Sequence, residues 1–227
     1  RQRQMCIRDR LINAQTFVIA TGSSPKILPQ FFGLGDKLIV NDDIFEWAEL
    51  PKSVAVFGSG VIGLELGQAL HRLGVKVKVF GRPGRIRPIT DPEIVSYAKK
   101  TFQSEFYLDS DSTNEKIWRD DDEVVIQYLT DDKQNIERFE YLLAATGRKP
   151  NIENLDLFRT SLQLDSDGVP VFDRLTMQCG NSHIFIAGDI NNDLTLLHEA
   201  ADEGKIAGEN AATYPYVSRG VRRSTLN

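Results

Sequence analysis

The chain has 227 residues, room for one large domain or two small ones, and its 41% hydrophobic and 26% charged content suits a globular protein with a buried core. A formal net charge of -5 excludes nucleic acid and acidic membrane surfaces as partners held by bulk charge. No apolar run is long enough for a bilayer and no charged-then-apolar leader opens the chain, so the expected location is the cytoplasm.

Taken in chain order, the first ten residues, Arg1 to Arg10, are basic and lack any period that would bury them. They read as a non-native segment, which removes Cys6 from the fold; a disordered basic arm is the alternative. Cys6 and Cys179 form neither a C-x-x-C pair nor a disulfide framework and read as two ordinary thiols. Thr16 to Ala20 reads as a buried strand ending at Thr21-Gly22-Ser-Ser-Pro25, and Pro25 and Pro29 mark an extended connection. Asp42 to Trp47 suits a short capped helix.

Ser53 to Phe57 is a buried strand running into Gly58-Ser59-Gly60-Val61-Ile62-Gly63-Leu64-Glu65, and Leu66, Leu70 and Leu73 continue a helix to Gly74. The turn has the spacing that holds a dinucleotide pyrophosphate. Gly58 permits the tight turn, Gly60 lets backbone approach phosphate, and Gly63 lets helix and strand pack closely. The amides from Gly58 through Ser59, Val61 and Ile62 to Gly63 then line an anion site at the positive end of a helix. Alone, the motif fits a plain glycine turn equally well; the flanking strand, the helix and a second strand, Val75 to Phe80, favour the dinucleotide.

After Phe80 comes the basic loop Gly81-Arg82-Pro83-Gly84-Arg85-Ile86-Arg87-Pro88, then a helix from Asp91 to Phe102. Glu123–Leu129 and Ile136–Ala145 read as two strands of a hairpin turning through Thr130 to Asn135. Ala145-Thr146-Gly147-Arg148-Lys149-Pro150-Asn151 repeats the Ala-Thr-Gly ending seen at Ala20 to Gly22. A strand from His183 to Ala187 ends in Gly188-Asp189, and a last helix spans Leu196 to Ala212.

The four signatures, Ala20-Thr21-Gly22, Gly58-x-Gly60-x-x-Gly63-x-Glu65, Ala145-Thr146-Gly147-Arg148-x-Pro150-Asn151 and Ile186-Ala187-Gly188-Asp189, stand in an order that resembles the pyridine nucleotide-disulfide oxidoreductases. The chain is most similar to their dihydrolipoamide dehydrogenase branch, with glutathione and mercuric reductases as cousins. The resemblance implies two Rossmann-like three-layer α/β domains, an NAD(P)-binding domain inserted in a partial FAD-binding domain. Laid on this sequence, 11–40 is the tail of the first FAD half and 41–145 the NAD(P) domain. The returning FAD half is then 146–212, and 213–227 opens an interface domain. The family's upstream FAD glycine motif and C-x-x-x-x-C disulfide, and its closing His–Glu pair, have no match here; His71, His183 and His198 lie in no such motif. The implied object is a fragment of a larger enzyme, inactive alone, with no catalytic residue and no metal ligand assigned.

Residue roles follow from the same resemblance. Asp189, after Gly188, matches the family acid that bonds a flavin ribityl hydroxyl; a turn or N-cap aspartate is the plain alternative. Thr21-Gly22 and Thr146-Gly147 match the crossover turns between the domains, or are simple strand endings. Leu197 and His198 open the helix that points at the flavin ring, though a surface histidine fits His198 as well. Glu65 matches the residue that reaches the nicotinamide ribose or amide, and equally suits a first helical turn. The end of the second strand lacks the carboxylate that bonds an NAD 2′-hydroxyl, while Arg82, Arg85 and Arg87 suit a 2′-phosphate. The reading leans to NADP, with a solvated basic loop as the alternative. Partners implied for the intact parent are a dithiol or disulfide, a protein lipoyl domain and a second copy in a homodimer. A flavin reductase of ferredoxin or rubredoxin type, or a non-catalytic NAD(P)-binding fragment, are the rivals.

Overall fold

A computed structural model describes residues 12–82, 85–109, 113–130 and 133–223. The segment Arg1 to Arg10 lies outside the described residues, as do Pro83 and Gly84 of the basic loop and Asp131 and Asp132 of the hairpin turn. The chain divides into two compact units, one of residues 25–148 and one of residues 1–24 with 149–227.

The inserted unit is built on a parallel sheet. Its strands are β3 (Leu38–Ile39), β4 (Ser53–Phe57), β5 (Lys76–Phe80), β6 (Tyr107–Asp109) and β10 (Tyr141–Ala144), in the order β3-β10-β4-β5-β6. Helices α1 (Val61–Arg72) and α2 (Pro92–Gln103) form the crossovers β4-α1-β5 and β5-α2-β6. Side chains alternate across a strand, and β4 shows why both faces must be covered. Val54 and Val56 pack with Leu64 and Leu70 of α1, whereas Ala55 and Phe57 pack with the opposite layer. That layer is a three-stranded antiparallel sheet of β7 (Thr113–Asp120), β8 (Glu123–Thr130) and β9 (Lys133–Phe139). Phe57 stacks on Phe80 with ring centres 5.0 Å apart, and Phe80 meets the Tyr128 ring edge-on at 5.1 Å. Each such ring contributes about 1.5–3 kcal/mol by burial.

Three sequence expectations change in this unit. The run Ile136–Ala145 is not one strand: it breaks at Glu140 into β9, paired with β8, and β10, paired with β4. Glu140 makes the break because its own N–H donates to the Ser53 carbonyl (3.2 Å) and its carboxylate accepts from Lys52 N–H (2.8 Å). The helix at Asp42–Trp47 is a single 3-10 turn, Asp43–Glu46. The unit also begins at 25, not 41, since Phe31 and Leu34 from the 3-10 segment Pro29–Lys37 are buried among Phe57, Phe80 and Val124.

In the other unit β1 (Phe17–Ile19) pairs in parallel with β12 (Ile184–Ile186), and α3 (Leu197–Thr213) packs on both; the short strands β2 (Ser23–Pro25) and β11 (Arg148–Pro150) pair where the chain leaves this unit and returns to it. Core residues Phe185, Ala187, Ile206 and Ala207 lie between strand and helix. The expected burial of Thr16–Ala20 is not found: Phe17 and Val18 are 41% and 42% exposed, because among the described residues β12 is the only strand beside β1. Among the described residues no helix is long and apolar enough to cross a membrane.

Candidate functional site: a glycine turn and a strand-end aspartate

The turn between β4 and α1 uses its three glycines differently. Gly58 has φ 125°, and a Cβ there would stand 2.1 Å from the Ala145 carbonyl oxygen. At Gly63 a Cβ would stand 1.9 Å from the Gly58 oxygen. Both glycines are therefore demanded by the fold itself, against the end of β10. The close helix–strand contact expected at Gly63 is present, and Gly67, one turn further along α1, adds a second, its Cβ meeting Val79 at 2.9 Å. Gly60 is the exception. Its φ of -90° is open to any residue, and a Cβ would find nothing within 4 Å. Neither backbone nor packing requires glycine at that point.

Gly60 is also the N-cap of α1, with no side-chain cap, and its carbonyl accepts the first helical bond, from Leu64 N–H at 2.9 Å. The amides of Val61, Ile62 and Gly63 stand in the first turn, where no intrahelical acceptor exists. Val61 and Glu65 are exposed on that turn. This arrangement fits a diphosphate: donors, a positive helix end and a backbone approach stripped of Cβ.

Ser59 is buried, and its hydroxyl donates to the Arg85 carbonyl at 2.8 Å. Sequence had grouped Ser59 with the turn amides; the structure spends its side chain on fixing the basic loop beside them. Arg85 N–H donates to the Arg82 carbonyl at 3.2 Å, and both arginine side chains are exposed. At the end of β5 no carboxylate is offered: Phe80 turns into the core and Gly81 N–H donates to the Asp109 carbonyl. The Asp109 carboxylate accepts from Thr130 Oγ1 at 2.7 Å and Tyr107 Oη at 3.1 Å.

In the second unit Asp189 follows β12 after Gly188, whose φ is 77°. Its carboxylate is half-buried and accepts from Ser23 Oγ at 2.8 Å. Ser23 was not singled out from sequence. Thr21 and Gly22 join the same cluster through Asn151, which bonds Thr21 in both directions (2.8 and 2.9 Å) and donates from its own N–H to the Gly22 carbonyl at 2.9 Å. Ser24 Oγ adds a bond to Asn151 Oδ1 at 2.7 Å. Asn151 thus holds the first Ala-Thr-Gly ending to the second signature. On the inserted side, the Gly147 carbonyl (Gly147 φ 109°) accepts from Lys26 N–H at 2.9 Å. Leu197 is 89% exposed and His198 is exposed, both on the first turn of α3, where Leu196 provides no side-chain cap. Cys179 is buried, which pushes its thiol up to about 12 and leaves it unreactive.

A family model described as pyridine nucleotide-disulphide oxidoreductase matches residues 3–204. The dihydrolipoyl dehydrogenase of Bacillus subtilis (strain 168) is 33% identical over 207 residues, 90% of this chain and 43% of that protein. The mercuric reductase of Bacillus cereus is 34% identical over 202 residues, 88% of this chain and 32% of that protein. Among solved structures, LpdA from Mycobacterium tuberculosis superposes with a TM-score of 0.74 at 28% identity, covering 90% of this chain and 44% of that one. The chain spans less than half the length of these relatives. A glycine turn of this geometry, a strand-end Gly-Asp and a family match across most of the sequence agree: the chain belongs to the pyridine nucleotide-disulphide oxidoreductase family.

Proposed function

We propose that this chain is the nucleotide-binding part of a flavin-dependent oxidoreductase of the disulfide reductase type, in which hydride passes between NAD(P)H and FAD. The observation that carries the reading is Gly60, a glycine with ordinary φ and open space where its side chain would be, at the uncapped start of α1. The amides of Val61, Ile62 and Gly63 would bind the diphosphate of NAD(P), and Glu65 would reach the nicotinamide side of the same helix. Asp189, oriented by Ser23, would accept a flavin ribityl hydroxyl, with Gly188 allowing close approach. Leu197, His198 and the first-turn amides of α3 would border the flavin, and Thr21, Gly22 and Gly147 would carry the chain past it. The bound cofactors supply the hydride chemistry; the protein's task is to orient them and exclude water.

The NADP preference rests on the absence of a carboxylate at the end of β5 and on the Ser59 hydroxyl fixing a loop that presents Arg82 and Arg85. Guanidinium pairs suit a 2′-phosphate through charged double hydrogen bonds. In the intact parent, the relatives named dihydrolipoyl dehydrogenase and mercuric reductase support a dithiol or disulfide partner, with a lipoyl domain, a homodimer and a cytoplasmic setting as the fuller reading. Titration of the protein with NADPH, NADH and FAD tests all of this. Saturable NADPH binding supports it, and equal indifference to all three contradicts it.

A further inference from the structure

The C-terminal segment carries a buried arginine that the proposed hydride chemistry does not use. Arg222 has a side chain only 3% exposed and reaches three carboxylates at once. Its Nε donates to Glu199 Oε2 at 2.9 Å, Nη1 stands 3.2 Å from Asp193 Oδ2, and Nη2 stands 2.8 Å from Glu203 Oε1 as a close ion pair without hydrogen-bond alignment. Glu199 and Glu203 are fully buried on α3. The second oxygen of Glu203 accepts from Gly188 N–H at 2.8 Å and from Asn191 Nδ2 at 2.7 Å. Asn191 Oδ1 in turn accepts from Asp193 N–H at 2.9 Å. The loop between β12 and α3, which presents Asp189, is therefore tied at Gly188 to Glu203, which Arg222 neutralises, and at Asp193 to Arg222 itself.

The segment reaches this place by specific contacts. Asn210 of α3 donates to the Ser218 carbonyl at 2.8 Å and accepts from Ser218 N–H at 2.8 Å. Gly220 N–H donates to the Leu175 carbonyl at 2.7 Å, and a Cβ on Gly220 would strike Ile206 at 2.3 Å. Removing the guanidinium would leave two buried carboxylates without their counter-ion, and such groups take up protons or move toward water.

We propose that Arg222 is a positioning residue for the Gly188–Asp193 loop, holding Gly188 and Asp189 in the orientation that faces FAD. This rests on the reading of Asp189 as a flavin contact. The charged groups around Glu203 are Arg222, Asp193 and Glu199, with Arg174 beyond Asp193 (2.7 Å) and His198 beside Glu199 (3.8 Å). Because loss of Arg222 acts through carboxylate charge, its effect is relieved in acid, where Glu203, whose carboxyl burial pushes up, takes up a proton; lost packing has no such relief.

The test uses the full chain as wild type, R222Q, R222K and, as a control at an exposed ion pair with Asp202, R223Q. Amide hydrogen-exchange protection is read over residues 188–193 at pH 8 and pH 5, and FAD affinity by flavin fluorescence titration. R222Q is expected to lose about tenfold in protection over that loop at pH 8, much less at pH 5, and to bind FAD about tenfold more weakly. R222K should fall between, and R223Q should match wild type. If R222Q does not fold, R222K carries the same comparison. Unchanged protection at both pH values, a loss spread evenly over the unit, or a loosened loop with unaltered FAD affinity overturns the proposal. Where the wild type, carrying only part of the FAD-binding domain, holds too little FAD to titrate, the exchange comparison alone decides, and equal protection of the loop in R222Q and wild type overturns the proposal.

Discussion

At the scale of single residues, the three glycines of the β4–α1 turn separate folding from binding. Gly63→Ala forces a methyl against the Gly58 carbonyl and is expected to cost about 1–3 kcal/mol, read by chemical denaturation. Gly60→Ala meets no protein atom, so its stability cost is expected to stay within about 1 kcal/mol, the usual price of alanine at an N-cap. Its NAD(P) affinity, however, should fall by at least about tenfold, since the methyl occupies the phosphate approach. Equal affinities for wild type and Gly60→Ala would remove the functional reading of that residue. The motif itself was legible because glycine spacing is a property of the sequence. The role of Ser59 was not: its acceptor is the Arg85 main-chain carbonyl, and a main-chain partner leaves no residue-type signature. Ser23 was missed for a related reason, being a small hydroxyl whose partner, Asp189, lies 166 residues away.

At the scale of elements, α2 and the antiparallel layer offer two independent tests. Asp91 caps α2, its Oδ1 accepting from Glu93 N–H at 2.8 Å and Ile94 N–H at 3.1 Å. Asp91→Ala should cost about 0.5–2 kcal/mol in thermal or denaturant unfolding while leaving NADPH affinity unchanged. Between the two sheets of the inserted unit, Glu137 of β9 accepts from Tyr128 Oη at 2.6 Å and pairs with Lys78 of β5, with Lys76 at 3.4 Å. Burial pushes the Glu137 carboxyl up, but the Lys78 and Tyr128 bonds outweigh it and hold the group below its ordinary range. A lowered carboxyl stabilises the fold above its unfolded pKa and loses that contribution as pH falls through the folded value. Lys78→Met should therefore flatten the acid limb of the stability profile, measured by denaturant titration from neutral pH down to about pH 3. An unchanged limb would show that the pair does not couple the sheets.

Element legibility followed burial. β4 and α1 were read closely because a strand covered on both faces is a continuous apolar run and a helix covered on one face is periodic, and β5 because Val77 and Val79 alternate with Lys76 and Lys78. β7 was not read, since Ile117 and Trp118 stand side by side between Lys116 and the pair Arg119 and Asp120, with no strand alternation, on a strand at the edge of its sheet. The division of Ile136–Ala145 was hidden because both pieces have strand character and run on without a turn residue, while the change of sheet is marked by bonds of Glu140 to Ser53 and Lys52.

At the scale of the whole chain, the interrupted unit is the architectural result. A parallel sheet with its own antiparallel layer, 25–148, sits in sequence inside a unit whose β1 and β12 lie next to each other in space but far apart along the chain. Such an insertion is hard to see in a local pattern. The paired Ala-Thr-Gly endings flank it in sequence, and Asn151, just after the second, bonds Thr21 and Gly22 as the chain returns. The start of the compact unit at 25 has no local signal in sequence, because Phe31 and Leu34 lie in a 3-10 segment without strand or helix period, yet both are almost fully buried.

The most direct test is an equilibrium titration of the 227-residue protein with NADPH and NADH, run beside Gly60→Ala, with nucleotide fluorescence as the signal. Saturable binding is expected for wild type, tighter for NADPH, and weakened by at least about tenfold in the variant. Absence of saturation up to about 1 mM of either nucleotide, or a variant that binds as well as wild type, would contradict the account.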